Sequence, residues 1–232
     1  KVLAIIPARG GSKGIKLKNI YPLNGLPLIS YTIRHCLESK IINRIVVSTD
    51  NNEIAKVANK YGAETPFLRP KEISQDDSND YSCIEHCINW LKKNEDYEPD
   101  VIVQMRCTTP LRNVNLIDDA INYFINNPDA DSLRALAPAC FSPFKMWIKN
   151  QGDYIRPILK LDSIDEPFNE GRQKLPQIFQ QDGFIDITTP KTINELKSLT
   201  GNRILGYKLK NKSIDIDNNN DLIEAAKLLK EN

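Results

Sequence analysis

The sequence has no excess of charge of either sign. Of its 232 residues, 31 are Lys or Arg and 30 are Asp or Glu, which gives a formal net charge of +1. A protein that binds nucleic acid or an anionic membrane through its overall charge needs a clear basic excess. We therefore predict that neither nucleic acid nor a membrane is a partner.

Long hydrophobic runs are absent and histidines are few. The longest uninterrupted apolar run extends from Val2 to Ile6, far short of the roughly 20 residues that cross a bilayer. The two histidines, His35 and His86, both lie in segments with a helical pattern. We therefore expect no histidine-based metal site or catalytic triad.

The five cysteines are odd in number and match no zinc-binding spacing. We interpret all of them as reduced thiols and predict a reducing, cytoplasmic location. The sequence does not begin with Met, which leaves open that it is one part of a longer protein.

Short apolar runs alternate with helical patterns along most of the chain. We predict strands at residues 2–6, 44–48, 100–105, 132–136, 203–207 and 213–217, with a short one before Arg69. Helices are predicted at 27–38, 52–61, 80–93, 116–125 and 219–229. This order predicts an α/β fold with a doubly wound, mostly parallel sheet. Ligands of such sheets bind at the carboxyl ends of the strands.

The alternation stops between residues 140 and 185. This stretch contains four prolines and mixed strand-like pieces. We interpret residues 140–185 as an arm inserted into a single domain of residues 1–232, and as a candidate dimer contact.

A glycine-rich basic loop follows the first predicted strand. Residues 8–14 contain three glycines, which let the backbone approach a ligand closely. Arg9, Lys13 and Lys18 add positive charge. The loop has neither the Gly-Lys-Ser/Thr of a Walker A motif nor the glycine spacing of a dinucleotide fingerprint. We therefore predict that residues 8–14 bind the phosphates of a nucleoside triphosphate in a way that differs from both motifs. The alternative is that they form a flexible basic turn without a ligand.

Asp215 and Asp217 form a candidate metal site. In a strand, residues two apart face the same side. Two carboxylates at a sheet edge suit Mg²⁺, which prefers oxygen ligands and bridges phosphates. Considered by itself, the pair is more typical of a solvated strand end before a helix cap; the phosphate loop and the family resemblance described below favour the metal.

Six segments resemble the acylneuraminate (CMP-sialic acid) cytidylyltransferase family, in the family's order: residues 5–19, 48–50, 68–70, 108–112, 172–176 and 213–217. The resemblance implies a Rossmann-like fold of the nucleotide-diphospho-sugar transferase type and a homodimer built through the arm. It also implies a Mg²⁺-dependent transfer of a nucleoside monophosphate from a nucleoside triphosphate to a sugar, with release of pyrophosphate. The donor and acceptor implied first are CTP and a sialic acid-like nonulosonic acid.

The loop and the resemblance together define a candidate site. The catalytic residues would be Arg9, Lys18, Asp215 and Asp217, and the two aspartates would bind Mg²⁺. Nucleotide binding is assigned to Ala8, Arg9, Gly10, Gly11, Ser12, Lys13, Lys18, Asn19, Arg69 and Asp80. Sugar binding is assigned to Arg106, Lys145, Arg172 and Gln180. Lys145 and Arg172 lie in the arm, and ordinary surface charge is their alternative interpretation.

Three positions depart from the family's pattern. Arg106 replaces Gln, Gln180 begins a Gln-Gln-Asp-Gly run in place of Arg-Pro-Asn-Gly, and Asp80 replaces a small hydroxyl residue. An Arg can pair with a carboxylate or a phosphate, and an Asp can accept hydrogen bonds from guanine. An alternative function is therefore a sugar-1-phosphate guanylyltransferase that makes a GDP-sugar. A third, of another class, is a non-catalytic nucleotide-binding domain of a longer protein.

Overall fold

The computed structural model describes residues 1–11 and 14–231. These residues form a six-stranded sheet in the order β10-β6-β9-β5-β1-β4, with two small hairpins, β2-β3 and β7-β8, outside it. The strands are β1 (Val2–Pro7), β2 (Pro22–Leu23), β3 (Leu26–Pro27), β4 (Arg44–Ser48), β5 (Val101–Gln104), β6 (Ser132–Pro138), β7 (Trp147–Lys149), β8 (Ile155–Pro157), β9 (Phe179–Thr188) and β10 (Ile204–Lys208).

The central sheet is mostly parallel, as predicted. Strand β1 pairs in parallel with β4 and β5, and β6 pairs in parallel with β10. Strand β9 is the exception, because it runs antiparallel to both β5 and β6. The sequence pattern did not predict β9.

Six helices lie in the described residues: α1 (Leu28–Glu38), α2 (Asn52–Lys60), α3 (Asp80–Glu95), α4 (Val114–Ile125), α5 (Pro190–Asn194) and α6 (Asn219–Glu231). All the predicted helices are present, with ends that differ by at most two residues, and α5 is additional. Asparagine side chains cap four of them, each accepting one or two hydrogen bonds from backbone N–H groups of the first turn: Asn51 for α2, Asn79 for α3, Asn113 for α4 and Asn218 for α6. Within the described ranges, no helix is long and apolar enough to cross a membrane.

The two faces of the sheet are covered by different helices. Alternate residues of β1 contribute to two separate clusters of buried apolar side chains. Val2, Ala4 and Ile6 lie in the cluster that includes α1, α2 and α4. Leu3 and Ile5 lie in the cluster that includes α3. Burial on both faces explains why β1 is apolar throughout and confirms the predicted doubly wound architecture.

Two predicted strands are wrong. Residues 213–217 form no strand, because their backbone bonds to loop and side-chain groups instead of to a neighbouring strand. The N–H of Ile216 donates to the carbonyl of Thr108 at 2.8 Å, and the N–H of Ser213 donates to Oδ2 of Asp182 at 2.8 Å. The short strand expected before Arg69 is reduced to an isolated bridge between Val46 and Glu64.

The segment outside the central sheet is shorter than the predicted arm. The chain leaves β6 at Pro138 and enters β9 at Phe179. Residues 179–185, which were assigned to the arm, therefore belong to the central sheet. The excursion carries the β7-β8 hairpin and three short 3₁₀ turns, and we refer to residues 139–178 as the arm below.

Candidate active site

A pocket of about 460 Å³ lies where β1 and β5 end. Four parts of the chain line it. These are the N-terminal loop (Arg9, Gly14, Lys18 and Asn19, with Pro7), the segment from Arg69 to Asp80, the end of β5 (Gln104, Arg106, Cys107 and Thr108), and Asp217. The carboxyl edge of a doubly wound sheet is where the strand pattern predicted a ligand site.

The glycine-rich loop is held in place by hydrogen bonds to the end of β4. The N–H of Ala8 donates to the carbonyl of Ser48 at 2.9 Å, and the N–H of Gly10 donates to Oδ1 of Asp50 at 2.8 Å. The buried side chain of Asn19 donates to the carbonyl of Arg9 at 2.9 Å. Ala8 and Asn19 thus shape the loop.

The remaining predicted loop residues have different outcomes. Gly10 and Gly11 are not in the pocket lining, and Gly11 is exposed. Ser12 and Lys13 lie outside the described residues. Gly14 lies against the C-terminal part of the site, where a Cβ atom on it would be 2.7 Å from the carbonyl oxygen of Asp217. A side chain there would push the two segments apart, so glycine is required.

Arg9 faces the segment that precedes α3. Its Nη1 donates to the carbonyl of Gln75 at 2.7 Å and lies 3.0 Å from Oδ1 of Asp76. The guanidinium of Arg9 therefore connects the two sides of the pocket.

Lys18 contacts the C-terminal segment. Its ammonium donates to the carbonyl of Ile216 at 2.8 Å and lies 3.3 Å from Oδ1 of Asp217. The Lys18 side chain is largely buried, whereas that of Asp217 is 76% exposed. The predicted meeting of Lys18 and Asp217 in one site is thus present in the structure.

Asp215 lies on the same segment but outside the pocket lining. Its side chain is exposed, and its Oδ2 is close to Gly183, 3.9 Å from where a Cβ atom would be. Among residues 1–11 and 14–231, no group of three or more His, Cys, Asp and Glu could hold a metal by itself. Two exposed carboxylates nevertheless fit Mg²⁺ as a partial site, because this ion keeps several waters and takes phosphate oxygens as further ligands.

Arg69 is a buried cation on the pocket wall. Its backbone N–H donates to the carbonyl of Thr49 at 2.7 Å. Nε and Nη2 of its guanidinium are buried and have no hydrogen-bond partner among the described residues. A buried donor without a partner is unfavourable, so this side chain is suited to a ligand with acceptor oxygens or nitrogens.

Arg106 and Asp80 are the departures from the family pattern that favoured a sugar phosphate and a guanine nucleotide. In the structure these two side chains form an ion pair with each other. Nη2 of Arg106 lies 2.9 Å from Oδ2 of Asp80, and Nη1 of Arg106 bonds to Oδ2 of Asp186. Although burial opposes it, the pKa of Arg106 is raised because these two carboxylates stabilise the cation. In the described structure the guanidinium of Arg106 is thus engaged by two carboxylates, and its role in sugar binding stays a prediction.

The other predicted sugar-binding residues lie away from this pocket. Lys145 is exposed in the arm, with its ammonium 3.4 Å from the carbonyl of Phe168. Arg172 lines a separate pocket of about 230 Å³ between the two ends of the arm. Gln180 lies in β9, opposite Ala137 of β6. Within one chain, the described residues do not bring these three side chains to the pocket.

Arg112 holds together the backbone beside the pocket through hydrogen bonds of its side chain. The sequence pattern did not assign this role to it. Its buried guanidinium donates to the carbonyls of Phe184 at 2.7 Å, Arg106 at 2.8 Å and Gly183 at 3.0 Å, and also to that of Thr109. These bonds join the loop after β5 to β9. The same loop provides the Thr108 carbonyl that holds Ile216, so Arg112 indirectly positions the segment that carries Asp217.

Comparisons with known proteins indicate the family to which the chain belongs. A family model described as cytidylyltransferase matches residues 3–170. A pseudaminic acid cytidylyltransferase of Campylobacter jejuni is 44% identical over 128 residues, which are 55% of this chain and 54% of that protein. The chain thus spans about half the length of that relative. The CMP-N,N'-diacetyllegionaminic acid synthase of Legionella pneumophila is 34% identical over all of this chain and 97% of that protein.

Solved structures share the fold at low sequence identity. A CMP:2-keto-3-deoxy-manno-octonic acid synthetase complexed with CTP superposes with a TM-score of 0.72 at 14% identity, over 100% of this chain and 99% of that one. This likeness supports the Rossmann-like fold. The family model over residues 3–170 and the Legionella relative that matches the whole chain show that the chain belongs to the cytidylyltransferase family.

Proposed function

We propose that the protein is a nucleotidyltransferase that transfers CMP from CTP to a sialic acid-like nonulosonic acid and releases pyrophosphate. The observation that carries this proposal is the contact between Lys18 and Asp217 in the pocket that Arg9 also lines. It joins a phosphate-binding cation to a candidate metal ligand. The names of the pseudaminic and legionaminic acid relatives support the choice of donor and acceptor.

The residues of the pocket suit a triphosphate. Arg9 and Lys18 provide two cations on the loop after β1, where they would bind phosphate oxygens. Arg69 has spare buried donors that would bind another part of the nucleotide. In the reaction, a hydroxyl oxygen of the acceptor bonds to the α-phosphorus and gives up its proton to water. The bond from the α-phosphorus to the oxygen shared with the β-phosphorus breaks, and pyrophosphate leaves.

Mg²⁺ is the proposed cofactor, with Asp215 and Asp217 as its protein ligands. When bound, it would neutralise charge on the α-phosphate and on the leaving pyrophosphate. Asp217 lines the pocket, and Asp221 holds its backbone through a hydrogen bond of 2.8 Å. The segment is therefore fixed by backbone contacts, and the carboxylate of Asp217 stays exposed for a hydrated ion.

The guanylyltransferase alternative loses its structural support. It depended on Asp80 being available for guanine and on Arg106 being available for a sugar phosphate. In the structure the carboxylate of Asp80 and the guanidinium of Arg106 form an ion pair with each other. A non-catalytic nucleotide-binding domain remains as an outcome of the experiment below.

The arm is proposed to form a homodimer. It carries several large apolar side chains that are exposed in the single chain: Phe141, Met146, Trp147, Ile148, Tyr154, Ile155, Ile158 and Leu159. Soluble monomers rarely expose so many together. A second copy would cover them and would bring Lys145 and Arg172 of one protomer towards the pocket of its partner.

We place this enzyme in the cytoplasm, which is consistent with its five free cysteines, four of them buried.

A donor and acceptor panel tests the reaction. The purified protein with Mg²⁺ is given CTP or GTP together with N-acetylneuraminic, legionaminic or pseudaminic acid, or with a sugar 1-phosphate. Pyrophosphate release and the nucleotide-sugar product are measured. We expect turnover with CTP and at least one of the three acids. Turnover only with GTP and the sugar 1-phosphate would contradict the proposal, and CTP binding without any turnover would favour the non-catalytic domain.

Light scattering after size exclusion tests the dimer. The wild type is expected to have twice the mass of one chain, and Tyr154→Glu with Ile155→Glu is expected to dissociate it. Ile223→Glu, at an exposed apolar residue of α6 outside the arm, is the matched control and should leave the dimer intact. A monomeric wild type would disprove the interface.

A further inference from the structure

Four charged side chains form a continuous series of ion pairs beside the pocket. Asp80 pairs with Arg106 at 2.9 Å, Arg106 with Asp186, and Asp186 with Arg134 at 2.9 Å. Asp80 and Arg106 line the pocket, whereas Asp186 and Arg134 lie behind them. Two cations and two carboxylates leave this cluster with no net charge.

Arg106 is held at several points. Its two terminal nitrogens bond to different carboxylates. Its backbone carbonyl accepts hydrogen bonds from Nη2 of Arg112 at 2.8 Å and from Oγ1 of Thr32 at 3.2 Å. Asp186 is almost fully buried, so leaving it with fewer partners would be strongly unfavourable. The guanidinium of Arg106 is therefore already engaged by two carboxylates in the described structure.

Asp80 is fixed in a similar way. Its Oδ2 accepts hydrogen bonds from Nε2 of Gln104 at 2.6 Å and from Arg106. Its side chain is nevertheless 42% exposed on the pocket wall. A phosphate brought to this wall would meet a carboxylate of like charge and a cation that is already neutralised.

We propose that Asp80 and Asp186 determine acceptor specificity by neutralising Arg106, so that this wall receives an uncharged, hydrogen-bonding part of the acceptor and rejects a phosphate. Asp80, which the sequence assigned to nucleotide binding, is here the specificity-determining residue, because it faces the pocket beside Arg106. Asp186 is a positioning residue that acts through Arg106. The inference rests on the proposed function, since it explains why the acceptor is a sugar without a phosphate group.

Calorimetric titration with glucose 1-phosphate measures directly whether the pocket wall formed by Asp80 and Arg106 rejects a phosphate. The protein is first saturated with Mg²⁺ and α,β-methylene-CTP, so that the triphosphate position is already filled. We compare the wild type, Asp80→Asn, and Asp77→Asn. Asp77 is exposed and outside the pocket lining, so Asp77→Asn is a matched control with the same change of charge three residues away.

Asp80→Asn is expected to bind glucose 1-phosphate about tenfold more tightly than the wild type, the size of one freed charge-assisted hydrogen bond. The gain should shrink as salt is raised, and the conservative change Asp80→Glu should restore the weak binding. Melting curves check that each variant is folded.

Two results would overturn the inference. One is a wild type that already binds glucose 1-phosphate as tightly as Asp80→Asn. The other is an equal gain in Asp77→Asn, which would show a general effect of charge. Because the titration needs no turnover, these results are distinct from failure of the proposed function, which shows as absent CMP transfer by the wild type.

Discussion

The ammonium of Lys18 lies 3.3 Å from Oδ1 of Asp217, although 199 residues separate the two in sequence. The contact joins the loop after β1 to the segment before α6. Each charge partly neutralises the other, and both lie at the pocket where a triphosphate and Mg²⁺ would compete for them. The pair is thus the point at which the two ends of the chain form one site.

Lys18→Met is expected to raise the KM for CTP by about tenfold to a hundredfold. The change removes a cation that would bind phosphate, and a charge-assisted hydrogen bond contributes about 1.5–3 kcal/mol. Initial rates at varied CTP concentration measure this effect. Lys16→Met is the matched control, because Lys16 is exposed and outside the lining of this pocket. An unchanged KM in Lys18→Met would remove Lys18 from the triphosphate site.

Asp217→Asn is expected to reduce Mg²⁺-dependent turnover at least about a hundredfold and to leave the melting temperature nearly unchanged. The side chain is exposed and can be altered without loss of packing. Rates across a Mg²⁺ titration test this, with Asp129→Asn as a control at another exposed carboxylate. Normal rates in Asp217→Asn would show that the carboxylate does not bind the metal.

Arg112→Met is expected to destabilise the fold by about 3 kcal/mol or more, because several buried carbonyls lose their donor. Burial already lowers the pKa of Arg112 to about 10, which shows how strongly the surroundings oppose a charge that is not paired with a carboxylate. Urea unfolding measures the loss. Arg34→Met, at an exposed arginine of α1, should change stability by less than about 0.5 kcal/mol. Similar losses in both variants would argue against the organising role of Arg112.

Stability is expected to fall as the pH drops from about 6.5 to 4. Burial, with the nearby cations Arg112 and Arg34, lowers the pKa of His35 from 6.5 to about 4. The unfolded chain therefore takes up a proton in this range while the folded protein resists it, which costs up to about 3 kcal/mol.

Urea unfolding of the wild type and His35→Gln at pH 7.5, 6 and 5 tests this dependence. The free-energy advantage of the wild type over the variant should shrink as the pH falls. Burial also lowers the pKa of His86. The variant His35→Gln should therefore keep part of the dependence of stability on pH. A constant difference between the two proteins at all three values would contradict the prediction.

Elements defined by local apolar patterns could be predicted from the sequence. Strand β4 was predicted with the bounds that the structure shows, because its buried run is continuous. Strand β9 was missed because its polar residues have distant partners. Asp182 accepts a hydrogen bond from the N–H of Ser213, and Asp186 pairs with Arg106 and Arg134. No local pattern shows that such aspartates are buried in a sheet.

The candidate site could be predicted in part: the sequence indicated which residues lie there, but not which of their charges are already paired. Charge and glycine spacing were sufficient to predict that Arg9 and Lys18 lie in one site, and both line the pocket; their binding of phosphate stays a prediction. The resemblance to the family, together with the residue types at Asp80 and Arg106, also suggested that these two side chains would contact ligands. Their mutual ion pair spans 26 residues, and only the folded chain shows that each already has a partner.

By itself, the sequence determined the family, the alternating α/β order and the position of a glycine-rich basic loop after β1, because these depend on local periodicity and on residues close together in the chain. The tertiary structure decided which charges remain available to a ligand. Lys18 and Asp217 meet at the pocket, whereas Arg106 is neutralised by Asp80 and Asp186. The physical reason is that the availability of a charge depends on the partners that folding brings within hydrogen-bonding distance, and those partners come from distant parts of the chain.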